Sequence, residues 1–136
     1  RNVSRIQNVW QGNWGLGGFN SAIQPKSYVL LPNESSAKLR TTVTGHGFGT
    51  GNNCGEFCYN THRLKVNGAE QFSWEIMQEC DENPLYPQGG TWIYARAAWC
   101  PGAPGRTEEF ELTPFINNNQ INGFYTMCFN GIFVTR

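Results

Sequence analysis

Two histidines, two cysteines and one glutamate crowd a single stretch of this chain. Thr44-Gly45-His46-Gly47-Phe48 is followed by Cys54-Gly55-Glu56-Phe57-Cys58 and then by Thr61-His62. A disulfide between Cys54 and Cys58 closes a very small ring. In the chain-entropy view so short a loop adds only about 2 kcal/mol, against about 3 for a loop such as Cys80–Cys100. The small ring therefore serves local shape more than global stability: it fixes the backbone around Glu56 and limits where that carboxylate points, as a preorganised site requires. The plain alternative is a tight turn carrying a solvated glutamate. Metal binding is a further alternative, because Cys54, Cys58 and His62 recur every four residues and on a helix would face one way. A structural zinc needs a fourth ligand, and only His46 or a distant cysteine is on offer. Gly55 and the strand-rich surroundings also oppose a helix there.

Other chemistries fit the inventory less well. A Ser–His–Asp triad would need Asp81, the only aspartate, and no serine sits in a nucleophile-elbow context. A Cys–His pair would need Cys128, which lies in the apolar run from Phe124 to Val134. Hydrolysis by two carboxylates needs a second acid beside Glu56. Glu75, Glu79, Asp81 and Glu82 are candidates, and none has a spacing that marks it. The chain on its own thus lacks an evident complete catalytic set.

The elements that must position these residues read as short strands. Charged residues are only 15% and aromatic residues 14%, with many Gly, Asn and Thr, a mix poor for helices and good for strands joined by turns. Strand-like runs are Arg5–Trp10, Tyr28–Leu31, Lys38–Thr44, Arg63–Asn67, Gln71–Glu75, Glu108–Leu112 and Tyr125–Val134. In the third of these, Leu39, Thr41 and Val43 alternate with Lys38, Arg40, Thr42 and Thr44, which predicts one buried face. Asn67-Gly68 predicts a two-residue hairpin turn, since both positions tolerate positive φ. Trp74–Gln78 could form a helical turn. The segments Gln11–Asn20, Gly45–Asn53 and Cys80–Arg106 read as long loops. The expected fold is an all-β antiparallel jelly-roll sandwich forming one domain over residues 1–136.

Composition also restricts partners and compartment. The formal net charge is zero and no Lys/Arg cluster is dense enough to neutralise several phosphates, which argues against nucleic acid. No apolar run approaches the roughly 20 residues of a membrane-spanning helix. No charged n-region or apolar h-region opens the chain, so it reads as a mature fragment or an excised domain. Five cysteines suit an oxidising compartment: secreted, periplasmic or cell-surface. The expected pairs are Cys54–Cys58 and Cys80–Cys100, leaving Cys128 as a buried free thiol. Aromatic side chains suit either a sandwich core or stacking on sugar rings.

The ordered set Leu39-Arg40-Thr41-Thr42-Val43-Thr44-Gly45-His46-Gly47, Cys54-Gly55-Glu56-Phe57-Cys58, Thr61-His62 and Arg96-Ala97-Ala98-Trp99-Cys100-Pro101-Gly102 resembles the C-terminal domain of the peptide-N-glycosidase F family. The resemblance runs from about Val9 to the end. It implies one half of a protein of two side-by-side jelly rolls, a secreted bacterial amidase that releases N-linked glycans from asparagine without metal or cofactor. It implies that Glu56 binds and orients the first GlcNAc, and that Arg96 bonds or holds neighbouring carboxylates. These two form the expected catalytic set, and His46, Phe57 and Trp99 the expected substrate-binding residues. The expected partners are an N-linked glycan or glycoprotein and an N-terminal jelly roll, of the same protein or of a partner chain. Three departures accompany the likeness. The family's essential aspartate lies in that N-terminal domain. His46 stands where the family has tryptophan. The family also has extra strand residues near its C-terminal end, where this chain passes quickly from Phe115 through Asn117–Asn119 to Gly123: either that hairpin is shortened or residues are absent there.

Those departures motivate a second reading, a non-catalytic glycan-binding or adhesion module on the same fold. A copper-dependent monooxygenase is a third reading, because related jelly rolls carry that chemistry. Copper needs clustered His and Met ligands, and two of each scattered along the chain do not supply them.

Overall fold

The computed structural model of the chain describes residues 3–15, 18–47, 55–83, 85 and 87–129, the last six of these by backbone only. Eight strands and one short α-helix, with a 3-10 turn at Thr113–Phe115, make up the described fold. They are α1 (Phe19–Ala22), β1 (Lys26–Val29), β2 (Lys38–Thr41), β3 (Asn60–Val66), β4 (Ala69–Glu75), β5 (Met77–Gln78), β6 (Arg96–Ala97), β7 (Glu108–Glu111) and β8 (Gln120–Phe129). All the pairings between them are antiparallel. The main sheet has the order β1-β8-β3-β4, and β2-β7 and β5-β6 form two-stranded sheets. The expected all-β antiparallel architecture is what the chain adopts.

Two layers follow from the side-chain alternation of strands. Asn60, His62, Leu64 and Val66 of β3 point to one face and are buried. Leu64 and Val66 join Leu30 and Ile121 in a core. That core is closed by Leu39 of β2, Phe110 of β7, and Phe72 and Trp74 of β4. The outward faces of β2 and β7 carry Lys38, Arg40 and Glu109, linked by ion pairs. Such charges keep the exposed edge of a two-stranded sheet from pairing with another chain.

Both ends of β3 are set by local chemistry. At its C-terminal end Asn67 (φ 52°) and Gly68 (φ 86°) turn the chain into β4, the hairpin that the Asn-Gly pair predicts. A second turn of the same kind leads into β8. Asn118 (φ 48°) and Asn119 (φ 59°) sit between Asn117 and Gln120, whose backbones exchange two 2.9 Å hydrogen bonds. This tight turn joins Ile116 to β8.

Several sequence expectations need correction. Arg5–Trp10 forms no strand. It is tied down by side chains instead, with Arg5 Nη2 donating to the Val29 carbonyl (2.9 Å) and Trp10 Nε1 to that of Gln24 (2.8 Å). The Lys38–Thr44 strand stops at Thr41, opposite Glu108, where its antiparallel partner β7 begins. Trp74–Gln78 makes no helical turn: β4 runs to Glu75 and β5 follows at once, because Trp74 and Ile76 are drawn into the core. Helix α1 begins at Phe19, in the last two residues of the Gln11–Asn20 segment that reads as a loop, and is held by burial of Phe19 and Ile23 against Trp10 and Trp14. The Cys80–Arg106 loop contains β6, and the strand expected at Tyr125–Val134 begins earlier, at Gln120. Residues beyond Phe129 lie outside the described residues.

Candidate functional site

Three chain segments meet beyond the N-terminal end of β3. Gly45 N donates to the Ala97 carbonyl (3.1 Å), Ala97 N to the Glu56 carbonyl (2.8 Å), and both Gly55 N and Glu56 N to the Gly47 carbonyl (2.9 Å each). Segments 45–47, 55–56 and 96–97 are thereby locked together by main-chain bonds. The approach is so close that a Cβ on Gly45 would lie 1.8 Å from the Gly55 carbonyl oxygen, so only glycine fits. Gly47, at φ 104°, takes a backbone conformation that other residues avoid.

Arg96 sits at the centre of this junction with 3% of its side chain exposed. Its Nε donates to Glu56 Oε1 at 2.8 Å. Nη1 donates to the carbonyls of Trp92 and Tyr94 (3.2 Å each), and Nη2 to the carbonyl (2.6 Å) and hydroxyl (2.8 Å) of Thr91. A guanidinium has five N–H donors, and all five are engaged within the chain. A charge taken so far out of water is tolerated only when paired and fully bonded in this way. Its Cζ lies 5.1 Å from the Phe57 ring centroid and 5.2 Å from that of Trp99, within the range of cation–π attraction.

Glu56 is bound on one side only. Oε1 accepts from Arg96, whereas Oε2 makes no hydrogen bond among the described residues, and 12% of the side chain reaches solvent. One carboxylate oxygen is therefore fixed and the other is presented outward. Around it stand rings. The His46 imidazole stacks on Trp99 (centroids 5.0 Å, 26° between planes), and Phe57 meets Tyr94 edge-on at 6.3 Å. Trp99 Nε1 donates to the Gly45 carbonyl (2.9 Å), and His46 Nε2 lies 3.1 Å from Thr44 Oγ1. Beyond them the 91–94 loop exposes Ile93 and Tyr94.

All five residues expected from the sequence, His46, Glu56, Phe57, Arg96 and Trp99, are thus brought into one cluster. Cys80 and Cys100 form the expected disulfide with Cα atoms 5.4 Å apart, which anchors both feet of the loop that carries Thr91–Tyr94. Cys58 is disulfide-bonded. Its expected partner Cys54 lies outside the described residues, as does the Cys128 side chain. The metal alternative fails on local structure. His62 is in a strand rather than a helix, and packs between Phe19 (6.5 Å) and Trp74 (5.8 Å) in the core. Burial there pushes its imidazole down to about 4.

Sequence reasoning missed Thr91, which twice accepts from Arg96, and the close approach at Gly45. The Thr-Gly-His-Gly run hints at the second. Nothing in the sequence marks the first, because the contact depends on how a long loop folds back.

Comparison with known proteins supplies a relationship for this cluster. The family model "Peptide-N-glycosidase F, C terminal" matches residues 19–124. No curated protein matches the sequence. Among solved structures, the glycosylasparaginase PNGase F from Flavobacterium meningosepticum is 26% identical with a TM-score of 0.70, covering 93% of this chain and 43% of its own. A peptide-N(4)-(N-acetyl-β-D-glucosaminyl) asparagine amidase is 28% identical with a TM-score of 0.68, covering 82% of this chain and 41% of its own. A recombinant peptide:N-glycanase F gives 27% and 0.68, with 81% and 39% covered. The chain spans about two fifths of the length of these structures. With a family match over most of its described length and the same fold in every one of these structures, the chain belongs to the C-terminal domain family of peptide-N-glycosidase F.

Proposed function

We propose that this chain is a single C-terminal-type jelly-roll domain, contributing to hydrolysis of the glycosyl-asparagine amide of N-glycoproteins together with an N-terminal jelly roll. The observation that carries the reading is the asymmetric Glu56 carboxylate, one oxygen held by a buried arginine and the other facing outward among aromatic rings. In that role Glu56 Oε2 accepts a hydrogen bond from the first GlcNAc and fixes the linkage for attack. Water adds to the side-chain amide carbonyl, the C–N bond breaks, and the nitrogen leaves on the sugar, giving aspartate and a glycosylamine. The acid that drives the water comes from the N-terminal domain. Arg96, with every donor engaged, is a positioning residue that acts through Glu56 and the 91–94 loop. His46, Phe57 and Trp99 supply the rim against which sugar rings rest. The Cys80–Cys100 disulfide supports an extracellular or periplasmic location.

The test is release of glycan from a denatured N-glycoprotein by the protein carrying this chain. Glu56→Ala is expected to lower the rate by orders of magnitude; because it also leaves Arg96 buried without its anion, the rate is compared at a temperature at which circular dichroism shows the variant still folded. An unchanged rate in that variant refutes the assignment. A second reading, a glycan-binding module without chemistry, is favoured by His46 in place of the family's tryptophan. Glycan-array binding by a full-length protein that hydrolyses nothing would establish it instead.

A further inference from the structure

The two asparagine turns described above stand side by side, and between them lies a groove of about 350 Å³ lined by Asn67, Gly68, Asn117, Asn118, Gln120 and Asn122. We propose that this groove is a second binding site, specific for a neutral saccharide and separate from the Glu56 cluster. It occupies the opposite end of β3, a seven-residue strand, and so lies roughly 20 Å from the Glu56 end at the usual strand rise.

Chemistry selects the ligand class. No residue lining the groove is charged, so phosphates, carboxylates and metal ions find neither counter-charge nor anionic ligands. No large apolar side chain lines it either, which removes the driving force for a lipid or an apolar peptide. What remains is five carboxamides. Those of Asn117 and Asn118 each offer a donor pair and an acceptor side by side, the pattern that matches the adjacent hydroxyls of a sugar ring.

The site is also built rather than incidental. Asn67 Nδ2 donates to the Phe115 carbonyl (2.7 Å) while its Oδ1 accepts from Asn122 N (3.1 Å), which ties one turn to the strand leaving the other. Asn122 Oδ1 accepts from Ser27 Oγ (2.6 Å) and Gln120 Nε2 (3.2 Å), which fixes those amides in orientation. The positive φ of Asn67, Asn118 and Asn119 holds both turns in narrow wells. Against this rigid frame the amides of Asn117 and Asn118 make no side-chain hydrogen bond among the described residues and are exposed. With no ring lining the groove, affinity is expected to be weak, on the order of 1 mM.

The experiment is an NMR titration of the ¹⁵N-labelled protein with chitotriose, mannotriose and, as a control, inorganic phosphate. At least one saccharide is expected to move the side-chain amide signals of Asn117, Asn118, Gln120 and Asn122 along a saturable curve, and phosphate is not. Asn118→Gly keeps the left-handed backbone while removing one free amide. Combined with Asn117→Ala it is expected to weaken binding at least about tenfold without shifting the unfolding midpoint. The same signals are expected to move in a Glu56→Ala background, which separates this site from the proposed catalytic role. The proposal is overturned if no saccharide moves these signals at millimolar concentration, if phosphate moves them equally, or if the double variant binds as the parent does.

Discussion

The two ends of β3 solve opposite problems. At the Asn60 end a cation and an anion are taken out of water, and three distant segments are needed to make that tolerable. Glu56 and Arg96 are 40 positions apart, Gly45 and Trp99 are 54 apart, and a disulfide closes the loop between. At the Asn67 end no residue lining the groove is charged. Two turns of the same type, each set by a pair of residues with positive φ, come together through exposed neutral amides. One end therefore depends on long-range order with a large penalty for any missing part. The other depends on local backbone preference and small independent increments.

That contrast predicts its sharpest break at Arg96. In Arg96→Met the carboxylate of Glu56 loses its cation, and the carbonyls of Thr91, Trp92 and Tyr94 lose their donor together. Removing one member of a buried, bonded ion pair costs about 3–5 kcal/mol, which denaturant unfolding would read as a large fall in midpoint. Arg96→Lys is expected to recover little of this, because an ammonium cannot serve five acceptors spread around a planar fork. If Arg96→Met unfolds like the parent, the junction does not rest on this residue.

A second, smaller effect belongs to the core between the two ends. His62 is buried against Phe19 and Trp74, and burial holds its imidazole at about 4, below the ordinary value of 6.5. Between those values the unfolded chain binds a proton that the folded chain does not. Stability is therefore full above pH 6.5 and falls as the pH drops toward 4, by about 3 kcal/mol in total. His62→Phe removes the titrating group, so its unfolding free energy should depend less steeply on pH across this window than that of the parent. Identical slopes would show that His62 is protonated in the fold.

The same contrast explains what the sequence discloses and what it conceals. Asn67-Gly68 announces its turn because the requirement, positive φ at two adjacent positions, is met by the residues themselves. The alternation of Leu39 and Thr41 with Lys38 and Arg40 likewise shows which face of β2 turns inward. Glu56 between two cysteines shows that a carboxylate is held still, but its partner could not be found by spacing. Arg96 lies in a Pro- and Gly-rich stretch whose strand β6 is two residues long, and only the family resemblance singled it out. Thr91 was hidden even from that, since its role exists only once the loop has closed on the guanidinium. The absent N-terminal strand has the reverse cause. Arg5–Trp10 has the composition of a strand, yet its attachment runs through the Arg5 and Trp10 side chains instead of a ladder.

The smallest predicted effect tests whether the amide end is as local as it looks. Asn67→Ala removes the bonds to the Phe115 carbonyl and from Asn122 N, and places a Cβ-bearing residue without a compensating side chain at φ 52°. The expected loss is about 1–2 kcal/mol, read from denaturant unfolding. Asn67→Gly removes the same two bonds but accepts the left-handed backbone without strain, so it should lose about 1 kcal/mol less than the alanine variant. Were the two variants to lose the same amount, backbone conformation would contribute nothing, and the turn would be held by its hydrogen bonds to the neighbouring turn alone. The amide end would then be a cooperative structure like the Arg96 end. Neither variant should alter glycan release, because no contact of Asn67 reaches the residues around Glu56.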